Sequence, residues 1–445
     1  MKKLLMTSVI ILAAIVVLAM LLARSNFIQN QQAATVFVGT TYCGNSVTDA
    51  KLLIDKVKGY TNLFILQSAD LQRDFKSVNE LGDYAVSAGM YFLPYFGNTV
   101  EATFTAWLNE AKQKWGTHLL GVYYGDEPAG KMLDDYVEFK NATTGDSITK
   151  TRYADLTLQK SDGVVINYRL NGEINYYEPN EAKVYTFNPN GTITANPASS
   201  TTTSSNQLPG SVTYDSLMRS KPFKTANDVA EAFGNLTESK IAFLKNNARV
   251  FTSDYALHWY DYLAGYDVLL GQIGWNNTLA QEIGLLRGAS KLQNKDWGIV
   301  ITWKYNYPPY LDNGSEILRQ MTTAYECGAK YFVLFNYYEE QSGPYGTMTD
   351  EHFQALESFW NNVVKNPQIN QGSIKADSVL VLPQNFGGGM RWKEDIIWGI
   401  FTTDAKAQGL WDSLQTNLRN HSLQLDIVYE DPKFPVTTDY QNVYR

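Results

Sequence analysis

At 445 residues the chain is too long for one minimal core. It suggests one large domain of about 250 residues with additions, or two to three ordinary domains. The net charge of −8 argues against nucleic acid as the main partner, which would need a basic face, and it also disfavours an acidic ligand unless local cations offset it.

The first 34 residues stand apart. Residues 4–23, "LLMTSVIILAAIVVLAMLLA", carry no charge. A run of about 20 apolar residues is long enough to cross a bilayer as a helix. Lys2 and Lys3 ahead of it favour a cytoplasmic N-terminus and a body outside the cytoplasm. The nearest small-residue site, "QQAA" at 31–34, lies well past the apolar end. An uncleaved signal anchor with its linker (1–34) is therefore expected, with secretion after cleavage as the alternative. N-x-S/T sequons at Asn141, Asn190, Asn235, Asn276, Asn313 and Asn420 fit that placement, weakly, since chance supplies some.

From residue 35 onward, apolar strand-like runs recur: "TVFVGTTYC" (35–43), "NLFILQSA" (62–69), "GMYFLPYFG" (89–97) and "HLLGVYYGDEP" (118–128). The stretches between them place apolar residues three and four apart, as amphipathic helices do. The pattern resumes with "ARVFTSDYAL" (248–257), "YDVLLGQIGWN" (266–276), "DWGIVITWKYN" (296–306) and "AKYFVLFNYYEE" (329–340). Strands that are apolar throughout and alternate with helices imply a parallel sheet covered on both faces. Helix–strand order alone also fits a doubly wound open sheet. The count of eight, and the polar and aromatic residues that end nearly every strand, favour a (β/α)8 TIM barrel in two halves, 35–130 and 216–365.

A β-rich insertion with a flexible linker (131–215) separates the halves. Its first part alternates and carries the turn signals "LNGE" and "NPNGT"; "ASSTTTSSNQLPGS" is linker-like. "TANDVAEAF" and "NLTESKIAFLKNN" read as two helices, the second capped by Asn235. Residues 370–445 read as a small α/β C-terminal domain. Its "NFGGGM" lacks the spacing of a phosphate-binding loop and reads as a tight turn. Cys43 and Cys327 would fall at opposite ends of the barrel, so both thiols are expected to be free. Four His and two Cys in this scatter offer no metal-ligand spacing, and no organic cofactor is implied.

Barrel enzymes carry their chemistry at the C-terminal ends of the strands. Those ends supply Tyr42, Tyr95, the pair Asp126 and Glu127, Asp254, Gln272, Trp275, Trp303, Lys304, Asn336, Tyr338 and Glu339. Carboxylates among aromatic faces and amides make a lining suited to sugars. "GDEP" (125–128) resembles the motif after strand four of glycoside hydrolases with (β/α)8 barrels. Clan A enzymes place an acid/base Glu there, usually after Asn. An Asp-Glu pair is more similar to the N-acetylhexosaminidases of families 20 and 123. That resemblance implies Glu127 as general acid/base and Asp126 as the residue that orients the substrate's 2-acetamido group, itself the nucleophile. Strand seven ends "TWKYN", without the acid that clan A enzymes carry there. Either substrate assistance or a second carboxylate (Glu339, Glu340 or Asp254) completes the reaction.

Each position also has a plain structural role to set against this one. In that role the acids serve only as strand caps, and Lys304 as an ion-pair partner that would lower a neighbouring carboxylate's pKa. The expectation is a membrane-anchored, extracytoplasmic glycoside hydrolase-like enzyme acting on a glycan. The alternative is a non-catalytic glycan-binding or cell-envelope protein on the same scaffold.

Overall fold

The computed structural model describes residues 36–445 except 98–100, 142, 153–154, 181–182, 198–211, 275–277, 338–342, 367–369 and 437. The expected anchor at 4–23 and the linker at 198–211 lie outside the described residues. Among those described, no helix is long and apolar enough to cross a membrane.

Eight strands close a barrel: β1 (Phe37–Tyr42), β2 (Leu63–Leu66), β3 (Tyr91–Phe96), β4 (Val122–Tyr124), then β12 (Val250–Asp254), β13 (Val268–Ile273), β14 (Asp296–Ile301) and β15 (Tyr331–Leu334). Neighbours run parallel in the order β1-β15-β14-β13-β12-β4-β3-β2. β2, β12, β13 and β15 are buried at every residue. That explains their continuous apolar character, because both faces of such a strand are covered.

The insertion between β4 and β12 is a seven-stranded antiparallel sheet, β5 (Val137–Lys140) through β11 (Ile193–Pro197), each strand paired with the next. Turns with glycine at positive φ, Gly163, Gly172 and Gly191, join successive strands.

Helices follow the barrel strands: α1 (Val47–Val57), α2 (Phe75–Ser87) and α3 (Glu101–Trp115) in the first half. Ser46 and Asp74 cap α1 and α2, their side chains accepting from backbone N–H groups of the first turn. A short α4 (Gly130–Asp134) follows "GDEP", and α5 (Tyr214–Arg219) precedes the long helix of the fourth unit, α6 (Ala226–Ile241). The two helices expected here are one. Thr225 and Asp228 form its capping box, and Val229, Phe233, Thr237 and Ile241 make one buried stripe that runs through Gly234. That continuous stripe outweighs the cost of about 1 kcal/mol for a mid-helix glycine. A further helix, α7 (His258–Ala264), lies between the fifth and sixth barrel strands, where none was expected, and a left-handed Leu257 turns the chain into it.

In the second half, α8 (Leu279–Gln293) and α9 (Gly314–Glu326) join the last three strands, and α10 (Asp350–Phe359) follows β15. The C-terminal region adds β16 (Ser378–Leu382), α11 (Ala405–His421), β17 (Leu425–Tyr429) and β18 (Asn442–Tyr444), whose parallel sheet runs β17-β16-β18. β18 carries no sequence signal that separates it from a frayed terminus.

Nearly the whole circumference of α8 is buried because β17 packs on it. A Cβ at Gly284 would lie 2.8 Å from the Leu425 carbonyl oxygen. Arg287 crosses the junction to the buried Asp426 (Nε–Oδ1 2.7 Å), whose other oxygen accepts from Tyr440 (2.7 Å). Val38–Arg445 thus forms one compact unit. No disulfide joins Cys43 and Cys327.

Candidate active site

β4 ends at Tyr124, and the next residues turn sharply. Gly125 and Glu127 both have positive φ, 68° and 53°. For Glu127 this is a costly backbone state, tolerated only where neighbours impose it. They do. Glu127 N–H donates to the Ser253 carbonyl of β12 (3.0 Å), and its own carbonyl accepts from Lys131 N–H (2.9 Å). Directly beyond Pro128, the Asp254 carboxylate accepts from the N–H groups of Ala129 (2.9 Å) and Gly130 (2.9 and 3.0 Å), as well as from its own neighbours Tyr255 (2.7 Å) and Ala256 (3.3 Å). Gly130 permits this approach, since a Cβ there would sit 2.3 Å from Asp254 Oδ1. Strand five thus pins the strand-four acids from both sides.

The two acids face a pocket of about 210 Å³ at the barrel mouth, lined also by Gln67, Tyr123, Ser253, Gln272, Trp303 and Tyr337. Asp126 Oδ1 accepts from Tyr123 Oη (2.5 Å), Ser253 Oγ (3.2 Å) and Gln67 Nε2 (3.4 Å). Its Oδ2 has no protein partner among the described residues. Glu127 Oε1 accepts from Gln272 Nε2 (2.6 Å), while Lys131 Nζ stands 3.9 Å from its Oε2. Lys131 donates instead to the Asp126 carbonyl at 2.7 Å. Burial and the neighbouring Asp126 charge push the Glu127 carboxyl up to about 7; Gln272 and Lys131 oppose the shift, and the Asp254 charge adds to it. Glu127 is therefore substantially protonated near neutral pH, as a general acid must be.

Other expected residues divide. Gln272 and Trp303 line the pocket. Tyr95 packs edge-on against Tyr123 at 5.3 Å between ring centroids and lines an adjacent cavity. Four residues do not reach the pocket. Tyr42 is buried, with its hydroxyl turned to the Ser46 backbone. Asn336 is buried, with its backbone N–H on Thr41 Oγ1 (2.9 Å) and its Oδ1 without a partner among the described residues. Lys304 is exposed in the loop after β14, so the cation beside Glu127 is Lys131. Asp254, expected among substrate-binding groups, is enclosed and spends its carboxylate on backbone. Trp275, Tyr338 and Glu339 lie outside the described residues.

Sequence reasoning missed Tyr123, Gln67, Ser253 and Lys131. Alternation offered a signal for the first of these, because residues of one barrel strand point alternately inward and outward. Lys131 sits one helical turn after Glu127 and was equally readable.

Asp254 has a buried partner. Asp261 of α7 is wholly enclosed, and neither carboxylate oxygen has a well-formed hydrogen bond among the described residues. Burial and the adjacent Asp254 hold the Asp261 carboxyl well above the usual carboxylate range. Burial raises Asp254 as well, but its backbone N–H donors favour the charged form. Asp261 keeps the proton and Asp254 the charge.

No family model matches the chain, and no curated protein matches it. Solved structures similar to it include a GH113 β-1,4-mannanase, at 10% identity and a TM-score of 0.32 over 74% of this chain and 99% of that one. Another is a mutant O-GlcNAc hydrolase of Thermobaculum terrenum, at 8% and 0.30 over 76% of this chain and 61% of that one. A third is a type I 3-dehydroquinate dehydratase from Clostridium difficile, at 9% and 0.28 over 74% and 94%. At such identities and scores the likeness carries no argument about activity, and the barrel rests on its own strand order.

Proposed function

We propose that the protein is a glycoside hydrolase in which Glu127 is general acid and then general base, and the substrate's own 2-acetamido group is the nucleophile. One observation carries this reading. Asp126 and Glu127 are the sole carboxylates among the described residues lining the pocket, and they are differentiated, Glu127 being raised to about 7 and Asp126 keeping one oxygen open. Protonated Glu127 gives its proton to the glycosidic oxygen as the C1–O bond breaks, and the acetamido oxygen bonds to C1. Asp126 Oδ2 accepts the acetamido N–H and holds that group in place. Water, deprotonated by the Glu127 carboxylate, then opens the ring so formed and regenerates the acid.

A non-catalytic binder would have Glu127 neutralised by a close cation. Lys131 is 3.9 Å from the carboxylate and is committed to a carbonyl oxygen, which favours the enzyme. We also infer that the body faces outward from a membrane held by residues 4–23; protection of the full chain from protease added outside intact cells would overturn that.

The decisive assay offers the full chain aryl glycosides with and without the 2-acetamido group. Only the acetamido members should be cleaved, and Glu127→Gln should lower kcat/KM by about a thousandfold on substrates with poor leaving groups. Equal cleavage of plain hexosides would defeat substrate assistance. Glycan binding without cleavage would favour the binding-protein alternative.

A further inference from the structure

A second cavity, of about 690 Å³, adjoins the pocket, with Asp126 as their common wall. Two regions outside the barrel build its sides. β5 contributes Glu138 and Lys140, Tyr136 just precedes it, and the last turns of α6 contribute Thr237 and Lys240. Tyr95, Tyr124 and Tyr266 add aromatic surface from the barrel end. This cavity holds what the small pocket lacks, cations: Lys131, Lys140 and Lys240.

Its lining carries two carboxylates, Asp126 and Glu138, against the three lysines. Lys140 is matched by Glu138 at 3.6 Å, and Lys131 faces Glu127 and the Asp126 carbonyl. Lys240 has no hydrogen-bond or ion-pair partner among the described residues. Lys240 is exposed at the cavity wall; partial desolvation and then the neighbouring Lys131 ammonium push its pKa down. In a chain of net charge −8, an unmatched ammonium in a cavity that opens beside the catalytic acids is a specific feature.

Resting on the hydrolase reading above, we infer that this cavity receives the leaving part of the glycan, and that this part carries an anionic substituent that pairs with Lys240. The substrate class is then an N-acetylhexosamine joined to an acidic sugar. The insertion serves as the far wall of that subsite. A carboxylate, a sulfate ester or a phosphate would each satisfy the ammonium, so the test separates them.

The test uses the full chain and oligosaccharides with a terminal N-acetylhexosamine linked to glucose, to glucuronic acid, to 6-sulfoglucose or to glucose 6-phosphate. At low salt, kcat/KM should be about fivefold or more higher for at least one anionic member than for the neutral one. Lys240→Met should remove most of that preference, and Lys240→Glu should reverse it. Raising the salt should erode both the preference of the unmodified chain and the reversed one of Lys240→Glu, and should change Lys240→Met little. Equal rates on all four compounds, or a preference untouched by both variants, would overturn the inference. If none is cleaved, the hydrolase reading fails separately. Calorimetric titration of the same four compounds then decides this one: weaker anionic binding in Lys240→Glu supports it, and indifference to charge sinks it.

Discussion

Two acid pairs sit at neighbouring strand ends of this barrel, and they do opposite things. Asp126 and Glu127 after β4 turn into the pocket, where one is raised to about 7 and the other keeps an oxygen for a ligand. Asp254 at the end of β12 and Asp261 of α7 turn inward, fully buried, and the charge they share is absorbed by backbone N–H groups. Composition does not separate the pairs. Backbone direction does: a left-handed Glu127 throws its side chain toward the mouth, whereas Asp254 ends an extended strand over a turn of unpaired amides. The buried pair makes the exposed pair possible, because it holds the strained turn in place.

The largest effect should come from the clamp. Asp254→Asn puts an amide nitrogen against backbone donors and should cost about 2–4 kcal/mol in stability by denaturant unfolding. Asp261→Asn, replacing a group that already carries a proton, should cost less than about 1 kcal/mol. The reverse ranking would mean the proton sits on Asp254. Positioning has its own readout. The Asp254 charge helps raise Glu127, so in the surviving fraction of Asp254→Asn the alkaline limb of kcat/KM should move to lower pH. A purely structural lesion would leave the limb in place.

The exposed pair should show the opposite thermodynamic sign. Glu127 has a folded pKa of about 7 against an ordinary 4.5, so the fold loses stability as pH rises through that window. Glu127→Gln removes the penalty. Its stability gain should be near zero at pH 4 and on the order of 2 kcal/mol at pH 8, allowing for a side chain that remains 26% exposed. Thermal unfolding of both chains at the two pH values checks this. A gain at pH 4, or a loss at pH 8, would refute the raised pKa. A stabilised but inactive variant is the usual signature of a site whose geometry is held under strain.

The barrel was legible because its strands are apolar on both faces and its helices amphipathic; each periodicity reports burial directly. Where burial was unusual the reading slipped. α6 was cut at Gly234, though its stripe runs on to Ile241. α7 was missed because an acid, three aromatics and a histidine in "HWYDYLA" resemble a loop until α8 and β17 cover them. At the site, the "GDEP" acids were found from their place after β4. The partition of acids into lining and clamp depends on which backbone amides lie unpaired nearby, and no spacing encodes that. Lys304 was a fair suspect as the neighbouring cation, but helical geometry made Lys131 the better one, four residues after Glu127 at the start of α4.

Lys131 supplies the smallest and sharpest test. Its ammonium stabilises ionised Glu127, so it works against the burial and the carboxylates that raise the group. Lys131→Met keeps the aliphatic stem and removes the charge. The Glu127 pKa should rise, and the alkaline limb of kcat/KM should move up by about half a unit, opposite in direction to the Asp254→Asn shift. At 3.9 Å across a partly solvated gap, the pair is too loose for more. A shift of two units would mean that Lys131 locks Glu127 in a true ion pair, as a non-catalytic barrel would. No shift would mean that the ammonium serves the Asp126 carbonyl alone. A half-unit rise places Lys131 where the geometry has it, holding the turn with one hydrogen bond and trimming the acid's pKa with what charge remains.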